Sequence, residues 1–182
     1  MVGHTLLQPE MFSGWGIRTV GTGEPRYNPM GYHVGSVWPH DNALIASGMA
    51  RFGMAAEATQ VFAGLFDAAM YFDLHRIPEL FCGFPRDRGQ GPILYPVACA
   101  PQAWSAAAVF LMFQACLGLR IDAIARKISL VRPSLPSFIS RAKITNLRIG
   151  DASADLLVVR HESDVTVNVL RRSGDIDVVV VM

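Results

Sequence analysis

Apolar side chains recur along the chain with two different periods, and the change from one to the other falls near residue 120. Leu44, Ile45, Met49 and Phe52 stand three or four residues apart, which predicts a helix with one apolar face. Asp41 or Asn42 offers that helix an N-cap, and Gly53 offers it a stop. Val61, Phe62, Leu65, Phe66 and Ala69 mark one face of a second helix over 55–71, leaving Glu57, Gln60 and Asp67 for water or a neighbour. Two helices joined by so short a turn must run antiparallel, as an αα-hairpin. A third helix is predicted from about Gln102 to Leu117, opened by Pro101 and closed by Gly118. Its residues are apolar nearly all round, so burial on most sides is expected.

Beyond residue 120 the pattern shortens to strands. Runs at 127–131, 144–149, 154–160, 165–170 and 176–181 are rich in Val, Ile and Leu. Val165, Val167 and Val169 alternate with Thr166 and Asn168, the two-residue period of a sheet with one wet face. Gly150-Asp151, Glu162-Ser163-Asp164 and Ser173-Gly174-Asp175 read as hairpin turns between these runs. The expected fold class is therefore α+β: helical hairpins over 1–119 and a small antiparallel β tail over 120–182.

Two long irregular segments, 13–40 and 73–101, interrupt the helices and are rich in glycine, proline and aromatic residues. Loops of this length inside a compact domain usually carry function. They contain three clusters: Ser-Gly-Trp-Gly-Ile-Arg-Thr at 13–19, Tyr-His-Val-Gly-Ser-Val-Trp-Pro-His-Asp-Asn at 32–42, and Arg-Ile-Pro-Glu-Leu-Phe-Cys-Gly at 76–83 followed by Tyr-Pro-Val-Ala-Cys-Ala-Pro-Gln-Ala-Trp-Ser at 95–105. Each sets aromatic rings beside charged or amide groups. A sugar site needs that mixture, because hydroxyls require directional partners while the C–H face of the ring packs on an aromatic surface.

Among these residues Glu79 is the candidate for proton transfer, since Pro78, Leu80 and Phe81 around it would desolvate the carboxylate and raise its pKa. A cap or ion-pair role for Glu79 is the alternative. Trp38, His40, Asp41 and Asn42 run straight into a helix and would gather at its N-terminus, as a substrate contact or as a helix cap with a packed Trp. Trp15 and Arg18 suit a substrate contact or a cation–π buttress, and Trp104 reads as core. His33 and His40 lack a recognisable ligand spacing, so no metal is expected. Cys82, Cys99 and Cys116 form an odd set with no zinc pattern and no basic activator, which argues against a disulfide framework or a thiol nucleophile.

Bulk properties narrow the classes further. With 51% hydrophobic and 17% charged residues the chain can bury a core. A net charge of +1, with no basic run longer than Arg171-Arg172, gives no footprint for nucleic acid or an anionic membrane surface. The first residues lack a secretory signal, and the most apolar stretch, 103–119, is too short for a bilayer. A cytoplasmic, cofactor-free protein is expected.

Taken in order, the motifs over residues 12–118 resemble the C-terminal half of the catalytic domain of amylo-α-1,6-glucosidases and related debranching-type proteins, a family of (α/α)6 toroids. The resemblance implies an inverting glycosidase acting on α-glucans. Glu79 would be the general base that deprotonates water. It further implies that Tyr32, His33, Trp38, His40 and Asp41 line the subsite for the released glucosyl unit, and that Gln102 orients Glu79 or a sugar hydroxyl. Trp15 and Arg18 join the substrate-binding set. In that family the general acid lies on a part of the toroid preceding the residues present here. The expectation is thus a fragment, a truncated reading frame or one subunit of a split enzyme, inactive without its N-terminal partner half. A carbohydrate-binding or interaction module that has lost the chemistry is the alternative, and a structural remnant a third.

Overall fold

The computed structural model describes residues 2–162 and 164–182. Its class is α+β. The chain divides into two compact units, Met1–Phe113 and Gln114–Met182.

The first unit contains α1 (Val2–Leu6), α2 (Pro39–Arg51), α3 (Ala55–Ala69) and a single 3-10 turn at Asp73–His75, while α4 (Ala103–Cys116) runs across its end. Pro39 occupies the first position of α2, where a missing N–H leaves nothing unpaired, and Trp38 takes the N-cap place in an extended conformation. Asp41 and Asn42, expected as caps, instead lie inside the first turn. The stop at Gly53 holds. Its φ of 80° is the left-handed conformation glycine adopts freely, and it lets the Gly53 and Met54 amides close back on Ala50 and Met49 at 3.2 and 2.9 Å.

The inner face of α2 differs from the predicted one. Asn42, Ala43, Ala46 and Met49 are buried, whereas Leu44 and Phe52 are 61% and 89% exposed. Of the predicted face only Met49 is buried; the small Ala43 and Ala46 and the amide of Asn42 take other buried positions. The neighbouring α3 buries Ala58, Val61, Phe62, Gly64, Leu65 and Ala68, with Gly64 against the Gly14–Trp15 backbone, while Phe66 is exposed. Each large apolar side chain buried this way contributes about 2 kcal/mol. A further correction concerns α4. It buries Ser105, Ala108, Met112 and Cys116, a stripe three to four residues apart, and leaves Trp104 and Phe110 48% and 76% exposed. Trp104 is not core.

Asn42 ties α2 to the first irregular segment. Its Oδ1 accepts from the Ile17 amide at 2.7 Å, and its Nδ2 donates to the carbonyls of Ile17 and Trp38 at 3.0 and 2.9 Å. All of these groups are buried, so replacing Asn42 with Ala strands both main-chain groups of Ile17. Asn42→Ala should cost about 2 to 4 kcal/mol, read as a lower denaturant midpoint.

The two long segments are stitched together through the backbone. Isolated antiparallel bridges link Arg18 to Val37, Val37 to Phe81 and Phe81 to Leu94, so four stretches of chain lie side by side. The central link is reciprocal: Val37 donates to Phe81 at 2.9 Å and Phe81 donates back at 3.1 Å. Residues 77–83 are buried throughout. This pairing sets Glu79 near the stretch that carries Tyr32 and Trp38.

The second unit holds two three-stranded sheets. β3 (Arg141–Ile149), β4 (Ala152–Arg160) and β5 (Val165–Ser173) form an antiparallel meander with β4 in the centre. The other sheet has the order β1 (Leu119–Asp122), β2 (Lys127–Val131), β6 (Asp177–Val181). The turn at Gly150-Asp151 is a hairpin as expected; β4 and β5 pair antiparallel up to Arg160 and Val165, and Ser163 of the expected turn Glu162-Ser163-Asp164 lies outside the described residues. Ser173-Gly174-Asp175 is not a hairpin turn. It carries the chain from one sheet to the other, where β6 pairs with β2 in parallel, so the tail is not wholly antiparallel. The alternation expected along β5 extends only from Val165 to Asn168, and Val169 is 46% exposed. Asp155 of β4 pins both irregularities of the meander: its carboxylate accepts from the Asn146 amide at 2.7 Å and from Arg171 Nε at 2.9 Å. The Arg171 guanidinium and that amide hold its pKa down to about 2.

Candidate functional site

The site is built where the Val37–Phe81 bridge brings the two irregular segments together. Glu79 precedes Phe81 by two residues and is 8% exposed. Its amide donates to the Cys99 carbonyl at 2.9 Å, and the Cys99 amide returns a bond to Glu79 Oε2 at 3.3 Å. The other oxygen, Oε1, accepts a 2.7 Å hydrogen bond from the Tyr32 hydroxyl. Both carboxylate oxygens are therefore held by donors.

These donors reverse the expected electrostatics. The Tyr32 hydroxyl, joined by the Cys99 amide and by nearby His40, stabilises the ionised carboxylate more than burial penalises it, so the Glu79 pKa lies below its ordinary value. Desolvation acts as the surrounding sequence suggested, but it is outweighed by partners 47 and 20 residues away. The same hydrogen bond pushes the Tyr32 phenol up to about 12.

Around the carboxylate runs a row of rings. Tyr32 meets Trp38 edge-on at 4.8 Å, His33 at 4.5 Å and Tyr95 at 5.6 Å between centroids. His33 stacks on Trp38 at 5.5 Å, Trp38 meets His40 at 5.7 Å, and His40 stacks on Trp104 at 4.1 Å with ring planes 8° apart. The Trp38 indole is locked: its Nε1 donates to the Tyr32 carbonyl at 2.9 Å and to Ser36 Oγ at 3.0 Å. Asp41, half exposed on the first turn of α2, lies 3.3 Å from His40 Nε2. The buried Nδ1 of His40 has no partner among the described residues. Tyr32, His33, Trp38, His40, Asp41 and Glu79 are thus linked by contacts into one constellation.

The other candidates make the following contacts. Gln102 does not orient Glu79; its Oε1 accepts from the Ala103 amide at 3.0 Å at the start of α4. Arg18 is 3% exposed, and its guanidinium binds main-chain carbonyls: Gly83 at 2.6 Å, Pro9 at 2.9 Å and Glu10 at 3.2 Å. Burial lowers its pKa, and the three carbonyls make it a clamp between segments. Trp15 is buried with Tyr71 edge-on at 5.6 Å. Its cation–π partner is Arg86, 4.2 Å above the ring and paired with Asp67 at 2.7 Å, and not Arg18.

Residues that the sequence left unassigned also enter the site. Tyr95 adds a ring, Cys99 an amide and Ser36 an anchor for Trp38. Each stands inside a motif already conspicuous for its composition, but backbone donors and hydroxyl anchors leave no trace in residue type. Among the described residues no cluster of three or more His, Cys, Asp or Glu side chains could hold a metal ion. Nor, among them, is any helix long and apolar enough to cross a membrane.

Comparison with known proteins supports a glycoside-hydrolase-type segment. Residues 2–81 match the family described as the mannosylglycerate hydrolase MGH1-like glycoside hydrolase domain. That match contains Tyr32, the 38–41 stretch and Glu79. No curated protein matches the chain.

Proposed function

We propose that the unit up to Phe113 supplies the base-bearing part of the active site of an inverting glycosidase, acting on α-glucosidic bonds and in particular on α-1,6 linkages of glycogen-like glucans. The observation that carries the reading is the Glu79 carboxylate, held ionised by Tyr32 and the Cys99 amide beside a continuous aromatic row. A general base must be deprotonated at working pH and have a lone pair directed at water. Glu79 meets the first condition through its donors and the second because an ionised carboxylate has about four acceptor sites, of which two are taken.

In the reaction a water gives one proton to Glu79 while its oxygen forms the new bond to the anomeric carbon. The glycosidic C–O bond breaks on the opposite face, and the leaving oxygen takes a proton from a carboxylic acid. Glu79 alone in this chain is assigned a proton-transfer role. The role of the acid is assigned to no residue of 1–182. The half-exposed ring of Trp104, backed on one face by His40, would carry the apolar face of the sugar.

Joined to the helices that complete the toroid, the chain should release β-glucose first from an α-1,6-linked glucoside, as followed by proton NMR. Release of the α-anomer first would overturn the inverting reading. Turnover of mannosylglycerate without turnover of any glucan would move the substrate from glucans to the compound named in the matched family, and would overturn the glucan assignment.

A further inference from the structure

The family resemblance groups Tyr32 with residues that touch the sugar, yet its hydroxyl is committed to the Glu79 carboxylate. Resting on the glycosidase reading above, we infer that Tyr32 is a positioning residue, fixing Glu79 Oε1 so that Oε2 is the oxygen that takes the proton from water.

Two sets of contacts carry the inference. The first is the asymmetry at the carboxylate. Oε1 receives the Tyr32 O–H at 2.7 Å, whereas Oε2 receives the Cys99 N–H at 3.3 Å, longer than the usual N–H to oxygen distance of about 2.9 to 3.0 Å. A strong, short bond withdraws basicity from the oxygen that accepts it. Oε2, more weakly held, keeps more of the charge and is the better proton acceptor.

The second is the rigidity of Tyr32 itself. At its main chain, the carbonyl accepts from Ser36 Oγ at 2.6 Å and from Trp38 Nε1 at 2.9 Å. At its ring, Trp38, His33 and Tyr95 meet it edge-on. A residue fixed at both ends transmits its position to whatever it bonds, here the carboxyl plane of Glu79. Because its phenol is pushed up to about 12, Tyr32 remains a donor across any pH at which a glycosidase works. The arrangement has a second consequence. Holding the carboxylate ionised keeps the base competent to lower pH, at the cost of some proton affinity.

The variant Tyr32→Phe removes one oxygen and keeps the ring, so the packing with Trp38 and Tyr95 should survive. Glu79 is titrated by carbon-13 NMR of its carboxyl in the whole chain, with no substrate present. In the wild type it should titrate below an ordinary Glu; in the variant it should titrate higher, since burial is then less opposed. An unchanged Glu79 titration would overturn the inference. The second arm follows hydrolysis by the completed toroid. A base is lost as pH falls through its pKa, so the acid limb of kcat should move to higher pH in the variant. At the optimum kcat should fall about 10- to 100-fold, as expected from misplacing a reacting group, with KM little changed. A raised KM with unchanged kcat would make Tyr32 a sugar contact and overturn the inference. The titration needs no turnover, so it stands or falls separately from the glycosidase reading.

Discussion

Replacing Glu79 with Gln should reduce hydrolysis by about 100- to 10,000-fold while the protein stays folded. The substitution keeps the length and planarity of the side chain, and its carbonyl oxygen can still accept from the Tyr32 hydroxyl, which touches Oε1 at 2.7 Å in the wild type. What it removes is the charge and the capacity to take a proton. Because the wild-type carboxylate lies below its ordinary pKa, it is already ionised at neutral pH, and the loss should be constant across the neutral range. Binding should change far less than turnover, since the aromatic row of Trp38, His40 and Trp104 is untouched. Steady-state rates together with oligosaccharide titration check both halves, and full activity in the variant would remove Glu79 from the mechanism.

The largest structural effect is expected at Gly83. A Cβ built there would collide with the carbonyl oxygen of Gly35, which is backbone and cannot rotate away. Gly83 is also a junction: its amide donates to Pro29 at 2.8 Å, and its carbonyl accepts from Arg18 Nε at 2.6 Å and from the Tyr27 hydroxyl at 3.2 Å. Moving Gly83 to admit a methyl group therefore strains several bonds at once, including those of a buried guanidinium. Gly83→Ala should lose about 4 kcal/mol, at the upper end for a single substitution. Set against a typical stability of about 5 to 15 kcal/mol, that should unfold a large share of the first unit on mild heating. The melting midpoint followed by circular dichroism is the measurement, and an unchanged midpoint would mean that the two segments are not in close contact.

Much of the fold is legible where local chemistry decides it. The stop at Gly53 follows from its position after an apolar helix and is realised through two amide bonds to the last turn. Strand β2 is read directly, because Ile128 and Leu130 alternate with their neighbours and are buried. Where partners are distant, the sequence is silent. Nothing within the 176–181 run reveals that β6 joins β2 and not its neighbour β5; turn chemistry predicts a reversal, and a reversal can lead to either sheet. Apolar residues on every side of α4 suggested burial, yet Trp104 and Phe110 are exposed, because composition records what a face could bury and not what covers it.

The candidate site divides along the same line. Its aromatic and acidic members were visible as a concentration of unusual residue types, and the structure gathers six of them. Arg18, Trp15 and Gln102 were equally conspicuous, but the structure engages them with main chain or with neighbours. The direction of the Glu79 shift could not be read locally. Pro78, Leu80 and Phe81 supply desolvation, while the deciding donors come from Tyr32 and Cys99.

The stretch that carries Glu79 owes its position to main-chain pairing between Val37 and Phe81, while Tyr32 sets the plane of the carboxylate itself. Rim and framework are thereby separate: on the proposed reading, an exchange at the exposed Trp104, which takes no part in that pairing, would alter what the site meets while the paired backbone stays as it is.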